Sequence, residues 1–263
     1  MLIRILASLL LYLLFATTPS TSLAMHVVLD PGHGGRDTGA TQGKIAESEI
    51  TLKIANIVAK QLLNDSRFTV SLTRKDDSYI SLEERATIAN KKGDLFLSIH
   101  VNSSTDSRVH GQEIYFQNQL PPNQESLFLA SRENQNVKID RYVPKATSPA
   151  LANKKLNADV RSIIEDLERN HRFKLSGLLA EKLYYSWQDD SQQKSNAIRQ
   201  APFFVVSNVD KPSVLIEVGY LTNAREAKKL MSPDHQEQIA DNIYRAILSF
   251  KESLDKPTNK SLN

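Results

Sequence analysis

Val27-Val28-Leu29-Asp30-Pro31-Gly32-His33-Gly34-Gly35 is the stretch on which the reading of this chain turns. Two β-branched residues and a leucine make a short apolar strand signal, broken at Pro31-Gly32. A histidine then emerges between glycines. Their missing Cβ opens backbone conformations closed to other residues and leaves room for a close approach. A second histidine ends another apolar run, Asp94-Leu95-Phe96-Leu97-Ser98-Ile99-His100. In open α/β folds, sites gather where loops from several strand ends meet, so His33 and His100 are expected to face one crevice. Two imidazoles in such a place suggest a metal.

The flanking sequence supplies the frame. Residues 48–64 read as an amphipathic helix with Leu52, Ala55, Ile57, Val58, Ala59, Leu62 and Leu63 toward a core. Residues 68–73 alternate as a strand. Ser81 followed by Glu84 is a capping-box pattern, opening a helix that runs to about Lys91. Residues 112–116, 203–207 and 213–217 read as further strands, and residues 226–230 and 235–254 as helices. Residues 126–190 differ in character: charged, largely helical and poor in strand formers. Loops are expected there around Tyr142-Val143-Pro144 and Ser148-Pro149. Ile163, Ile164 and Leu167, then Leu175, Leu178, Leu179 and Leu183, give helix-period apolar faces. Strands alternating with helices predict an α/β fold with a mostly parallel sheet.

At 263 residues and 40% hydrophobic content, the chain can bury one sizeable core as a single domain. The net charge of +3 is mildly basic. Its basic residues are scattered rather than striped, and no helix-turn-helix, zinc-finger or RNP signature appears, so no nucleic-acid partner is expected. Residues 1–24 read as a secretory signal: Arg4 is the charged start, residues 5–16 are apolar, and Ser22-Leu23-Ala24 is a small-x-small cleavage pattern. The apolar run falls short of the about 20 residues of a membrane span. No stable membrane anchor is expected after cleavage, an uncleaved anchor being the other reading. With no cysteine, neither a lipid-attachment cysteine nor a disulfide framework is available. The expected location is periplasmic or secreted. Residues 255–263 read as a polar tail.

Glu47 stands at the mouth of the first long helix. With His33 and His100 it completes a common catalytic zinc shell of two imidazoles and one carboxylate, which leaves the fourth position for water. Such chemistry needs a base outside the shell. Glu217 is the candidate, because it closes the apolar run Val214-Leu215-Ile216, where an unpaired charge is costly. Blander readings stand beside these. Either histidine could be a hydrogen-bonded structural residue, and Glu47 a helix N-terminal carboxylate favoured by the dipole. Glu217 could pair with Arg199, and the glycines at 32–39 could cradle phosphate, although the G-K-[ST] ending and G-x-G-x-x-G spacing are missing. His26, His110, His171 and His235 read as surface or structural.

Four motifs in order carry a resemblance: LDPGHGG (29–35), ESEITL (47–52), DLFLSIHVN (94–102) and SVLIEVGYLTN (213–223). Together they resemble the zinc-dependent N-acetylmuramoyl-L-alanine amidases, over about residues 27–254. Arg74, Arg85, residues 111–116 and residues 202–206 also fall in that family's order. The resemblance implies a twisted mixed sheet between helices, one Zn2+ held by His33, Glu47 and His100, and Glu217 as catalytic carboxylate. It implies peptidoglycan as substrate, cut at the amide joining the lactyl group of N-acetylmuramic acid to L-alanine. Glu217 would deprotonate the attacking water at a carbonyl polarised by zinc and return the proton to the leaving amine. Val101 and Ser103 stand where the family more often has alanine, and Tyr220 where it has phenylalanine. A zinc peptidase acting within the stem peptide and a catalytically silent wall-binding relative are the competing readings.

The charged region, about residues 126–170, resembles the helical insert of the periplasmic, cell-division branch of that family. Arg132-Glu133-Asn134 matches a run whose glutamate occludes the zinc, and residues 160–167 resemble the helix that follows. The resemblance implies autoinhibition by Glu133, relieved by a LytM-domain activator that favours the open form.

Overall fold

The computed structural model describes residues 23–135, 137, 157–187 and 197–256. Residues 1–22, the loops expected at 142–149 and residues 257–263 of the tail lie outside them. Strand β1 (Met25–Pro31) is flanked on both sides by parallel partners, β4 (Phe68–Leu72) and β5 (Leu95–Asn102). Strands covered on both faces read as continuous apolar runs rather than as alternating ones, which is why the two histidine-bearing segments are legible. Beyond β5, β8 (Ser213–Tyr220) is parallel to β5, β6 (Glu113–Phe116) is antiparallel to β8, and β7 (Ala197–Gln200) is parallel to β6. The sheet thus has six strands in the order β4-β1-β5-β8-β6-β7. The sheet is therefore mixed and mostly parallel. A two-stranded ribbon, β2 (Thr41–Gln42) and β3 (Ile45–Ala46), leads into the first helix.

Side chains alternate across the strands and divide the core in two. Val27, Leu29, Leu97, Ile99 and Ile216 pack on one face against α1 (Glu47–Leu63), α4 (Ala158–Ser186) and α7 (Pro233–Asp255), through residues such as Ile54, Leu183 and Ile247. Val28, Phe96 and Leu215 meet the opposite layer: α2 (Leu82–Lys92), α3 (Gln124–Glu133) and α5 (Phe204–Ser207). The short α6 (Ala224–Leu230) follows β8. Ser81 caps α2 by accepting from the backbone N–H of Glu84 at 3.2 Å, as the capping box predicts.

One element differs from the sequence reading. The sequence pattern predicts a strand over residues 203–207; they form the turn of helix α5, and the strand at the sheet edge is β7 instead. Their β-branched and aromatic composition records burial in the second core, with Phe203, Val205 and Val206 all enclosed. Strand propensity largely measures such packing rather than a backbone preference. A local partner decides the backbone: Phe204 N donates to Asn134 Oδ1 at 2.8 Å, and Ser207 N then returns to Phe203 O at 2.8 Å.

Helix α4 is one continuous element about 43 Å long. Asn157 caps it, accepting from Asp159 N. Only its second half packs, burying Leu179, Ala180 and Leu183, whereas Val160, Ile163 and Leu167 are exposed. Among the described residues, no helix is long and apolar enough to cross a membrane.

Candidate metal centre

The C-terminal ends of β1, β5 and β8 adjoin, so their terminal residues share one edge of the sheet. Gly32 follows β1 with no room for a side chain: a Cβ there would lie 2.6 Å from the His100 ring. His33 comes next with φ +60°, the left-handed region. Its Nδ1 bonds Asp37 Oδ1 at 3.0 Å, and Asp37 also accepts from Gly39 N at 3.2 Å. Gly39 is needed for the same reason as Gly32, since a Cβ would meet Glu47 Oε2 and the His33 ring at 2.5 Å. The glycines thus let the histidines and Glu47 close together rather than cradle a phosphate.

Glu47 opens α1 with its carboxylate turned back into the fold. Its Oε2 accepts from Ala40 N and its Oε1 from Val101 N, each at 2.8 Å. The same Oε1 lies 3.0 Å from His100 Nδ1 and 3.2 Å from His33 Nε2. Its charge is therefore aimed at both imidazoles, which a role at the helix dipole alone does not require. His33 and His100 stack edge to face, with centroids 4.9 Å apart.

Glu133, the last residue of α3, arrives from the opposite layer. Its Oε2 sits 3.3 Å from His33 Nε2 and 3.7 Å from His100 Nδ1, while Arg132 Nε holds Oε1 at 3.2 Å. The ligand-capable atoms of His33, His100 and Glu133 lie within 4.8 Å of one another. Two ligands bound tetrahedrally to one zinc at about 2.0–2.1 Å lie about 3.3 Å apart, so the imidazole–carboxylate separations of 3.0–3.7 Å suit one small cation. His33 Nε2 is also buried and close to two carboxylates, yet hydrogen-bonded to neither. An orphaned buried nitrogen facing clustered carboxylates fits a metal-binding donor set.

Glu217 lies beside His100 in the parallel β5–β8 register. It is fully buried and its Oε2 has no hydrogen-bond partner. Burial first, then the charges of Glu47 and Glu133, push its carboxyl well above the usual range. Arg199 does not pair with it, binding Glu113 at 2.7 Å and Glu125 at 3.1 Å instead. The same clustering holds the Glu47 carboxyl low: burial opposes ionisation, but the two histidines outweigh it. The His33 imidazole is held well above its usual range, burial being overcome by Glu47 and Asp37.

All five residues singled out in the sequence thus meet at one place. Asp37 was not singled out, although a carboxylate four residues beyond a histidine is a signal that could have found it. The remaining histidines stand elsewhere: His26 bonds Thr69 and Ser71, His110 the carbonyl of Arg108, and His235 Gln238.

Known proteins resemble this arrangement along most of the chain. Residues 27–249 match the family described as N-acetylmuramoyl-L-alanine amidase. The amidase AmiA of Escherichia coli K12 is 30% identical over 227 residues, spanning 85% of this chain and 75% of AmiA. AmiA of Salmonella typhimurium LT2 is also 30% identical, over 236 residues, spanning 89% of this chain and 78% of its own. Among solved structures, the catalytic domain of CwlV, an N-acetylmuramoyl-L-alanine amidase from Bacillus (Paenibacillus) polymyxa var. colistinus, superposes with a TM-score of 0.61 at 27% identity, covering 87% of this chain and 98% of that domain. The ordered motifs, the mixed sheet and the match across residues 27–249 agree, and this chain belongs to the N-acetylmuramoyl-L-alanine amidase family.

Proposed function

We propose that this chain hydrolyses the amide between the lactyl group of N-acetylmuramic acid and the L-alanine of the peptidoglycan stem peptide, with one Zn2+ held by His33, Glu47 and His100. The observation that supports it is a cluster in which Glu47 Oε1 and Glu133 Oε2 each lie 3.0–3.7 Å from both His33 Nε2 and His100 Nδ1, with His33 Nε2 left orphaned. When bound, the cation supplies Lewis acidity, polarising the scissile carbonyl and acidifying water. The chain's own part is placement and proton transfer. Asp37 fixes the His33 ring, and the backbone N–H groups of Ala40 and Val101 fix Glu47. Glu217 takes the proton of the attacking water on its unpartnered Oε2 and returns it to the leaving nitrogen. Digestion of purified sacculi tests this: an intact stem peptide beginning with L-alanine is expected. Fragments cut within the stem would favour a peptidase, and no release even by zinc-loaded protein carrying Glu133→Lys would favour a wall binder.

The chain as described is in a closed form in this reading. Glu133 Oε2 lies against both histidines, where it would compete with water for a bound cation. Residues 126–170 act as a regulatory insert, and a LytM-domain activator draws α3 aside by binding the open form better than the closed one. Export through a signal at residues 1–24, a periplasmic or secreted location and a part in daughter-cell separation belong to the same proposal. Glu133→Lys, assayed on sacculi without any activator, is expected to exceed wild type. Equal rates would remove the autoinhibitory reading and leave the amidase reading standing.

A further inference from the structure

Three consecutive carbonyls, those of Pro31, Gly32 and His33, each accept a guanidinium hydrogen bond from within the fold. Arg74 donates Nε to Pro31 O at 3.0 Å and Nη2 to Gly32 O at 2.8 Å. Arg85, on α2, donates Nη1 to Pro31 O and Nη2 to His33 O, both at 2.7 Å. Both arginines are buried. Asp30 supplies the counter-charge for Arg85: its Oδ1 lies 2.7 Å from Nη1. Thr73 donates to the same oxygen at 2.6 Å, and Ser98 donates to Oδ2 at 2.7 Å. Burial disfavours a charged Asp30, yet Arg85 and the two hydroxyls hold its carboxyl below the usual range.

An ion pair this deeply enclosed adds little net stability over well-packed apolar residues of the same volume. What it supplies here is direction. His33 is the only non-glycine residue at positive φ among those described. Such a backbone is sterically costly and persists only when its surroundings over-determine it. Among the described residues, Arg85 is the one side chain bonded to the carbonyl of that residue, and its planar fork also reaches the preceding strand and Ile80 O.

We infer that Arg85 is a positioning residue for the metal centre, holding the His33 backbone left-handed so that Nε2 faces Glu47 and Glu133. This rests on the reading of His33 as a metal ligand. Lysine cannot replace it, because an ammonium is a single point charge without the fork's fixed directions.

The test compares full-length wild type, Arg85→Lys and Ser176→Ala. Ser176 is a buried control on α4 that accepts from Ser213 N and takes no part in the histidine loop. Zinc affinity is read by competition with a chromophoric chelator, ligand geometry by the visible absorption of bound Co2+, and fold by thermal unfolding in excess chelator. Arg85→Lys is expected to bind zinc about tenfold or more weakly, with an altered cobalt spectrum. Ser176→Ala should lose metal-free stability yet keep wild-type affinity. Wild-type affinity and spectrum in Arg85→Lys would overturn the assignment. Should that variant fail to fold, Thr73→Val removes only the hydroxyl that steers Asp30; weaker zinc binding supports the inference and unchanged binding overturns it. No zinc binding by wild type would overturn the metal reading itself, and this assignment with it.

Discussion

A carboxylate buried as deeply as that of Glu217 persists only if it is neutral or a cation stands close by. Burial and two neighbouring carboxylates press it toward protonation, which suits a group that must accept and release a proton during turnover. Glu217→Gln keeps the shape and removes the base. It is expected to lower release from sacculi by about 10²–10⁴-fold while zinc content, measured by elemental analysis, stays at the wild-type level. Loss of zinc in that variant would make Glu217 a ligand instead. Asp30 illustrates a different use of burial. Its folded-state carboxyl is lowered by Arg85, Thr73 and Ser98 against the pull of burial. The stabilisation is therefore fully present above the ordinary carboxylate value of about 3.9 and is lost as pH falls through the lower folded value. Asp30→Asn leaves Arg85 buried without its counter-charge and should destabilise by about 3–5 kcal/mol at pH 7. Urea unfolding of both proteins at pH 7 and pH 3 checks this; the gap should narrow in acid, and a constant gap would show that the ion pair is not its source.

Helix α3 is tied down on two sides at the end that carries Glu133. Arg132 Nη1 donates to Ser103 Oγ at 2.9 Å, and Asn134 bridges Pro202 O and Phe204 N at 2.9 and 2.8 Å. The Arg132 tie runs through the Ser103 hydroxyl, so one substitution removes that bond. A net hydrogen bond is worth about 1 kcal/mol, and about fivefold more open form follows if Glu133 acts as a plug. Ser103→Ala is expected to raise activator-free release from sacculi by about that factor; an unchanged rate would separate the tie from regulation. The same elements show what sequence can and cannot tell. The two histidine strands are legible because strands buried on both faces read as apolar runs. Ser81 with Glu84 is legible because the capping bond is local. Residues 203–207 mislead because their apolar side chains fill a core that strand propensity cannot tell from a sheet. Their helical turn is decided by Asn134, some seventy positions earlier.

Across the whole molecule, the site joins both helical layers to the sheet: Glu47 opens α1 on one face, Glu133 ends α3 on the other, and the two histidines lie between them. The α/β class and the meeting of His33, Glu47 and His100 at strand ends could be read from motif order. The edge strand β7 and the arginine braces on the carbonyls of Pro31 and His33 could not, since they depend on contacts between segments far apart in the chain. A cation gripped only by the folded form stabilises by mass action, about 4 kcal/mol at a thousand times its Kd. For a domain of this size that is about 10 °C in Tm, so chelation should lower Tm by that order and His100→Ala should abolish the difference. An identical Tm with and without chelator would argue against tight binding. The most direct measurement is an anomalous difference map at the zinc edge from crystals grown with Zn2+. The account predicts one peak about 2.0–2.2 Å from His33 Nε2, His100 Nδ1 and a Glu47 oxygen; no peak there, or one held by other side chains, would contradict it.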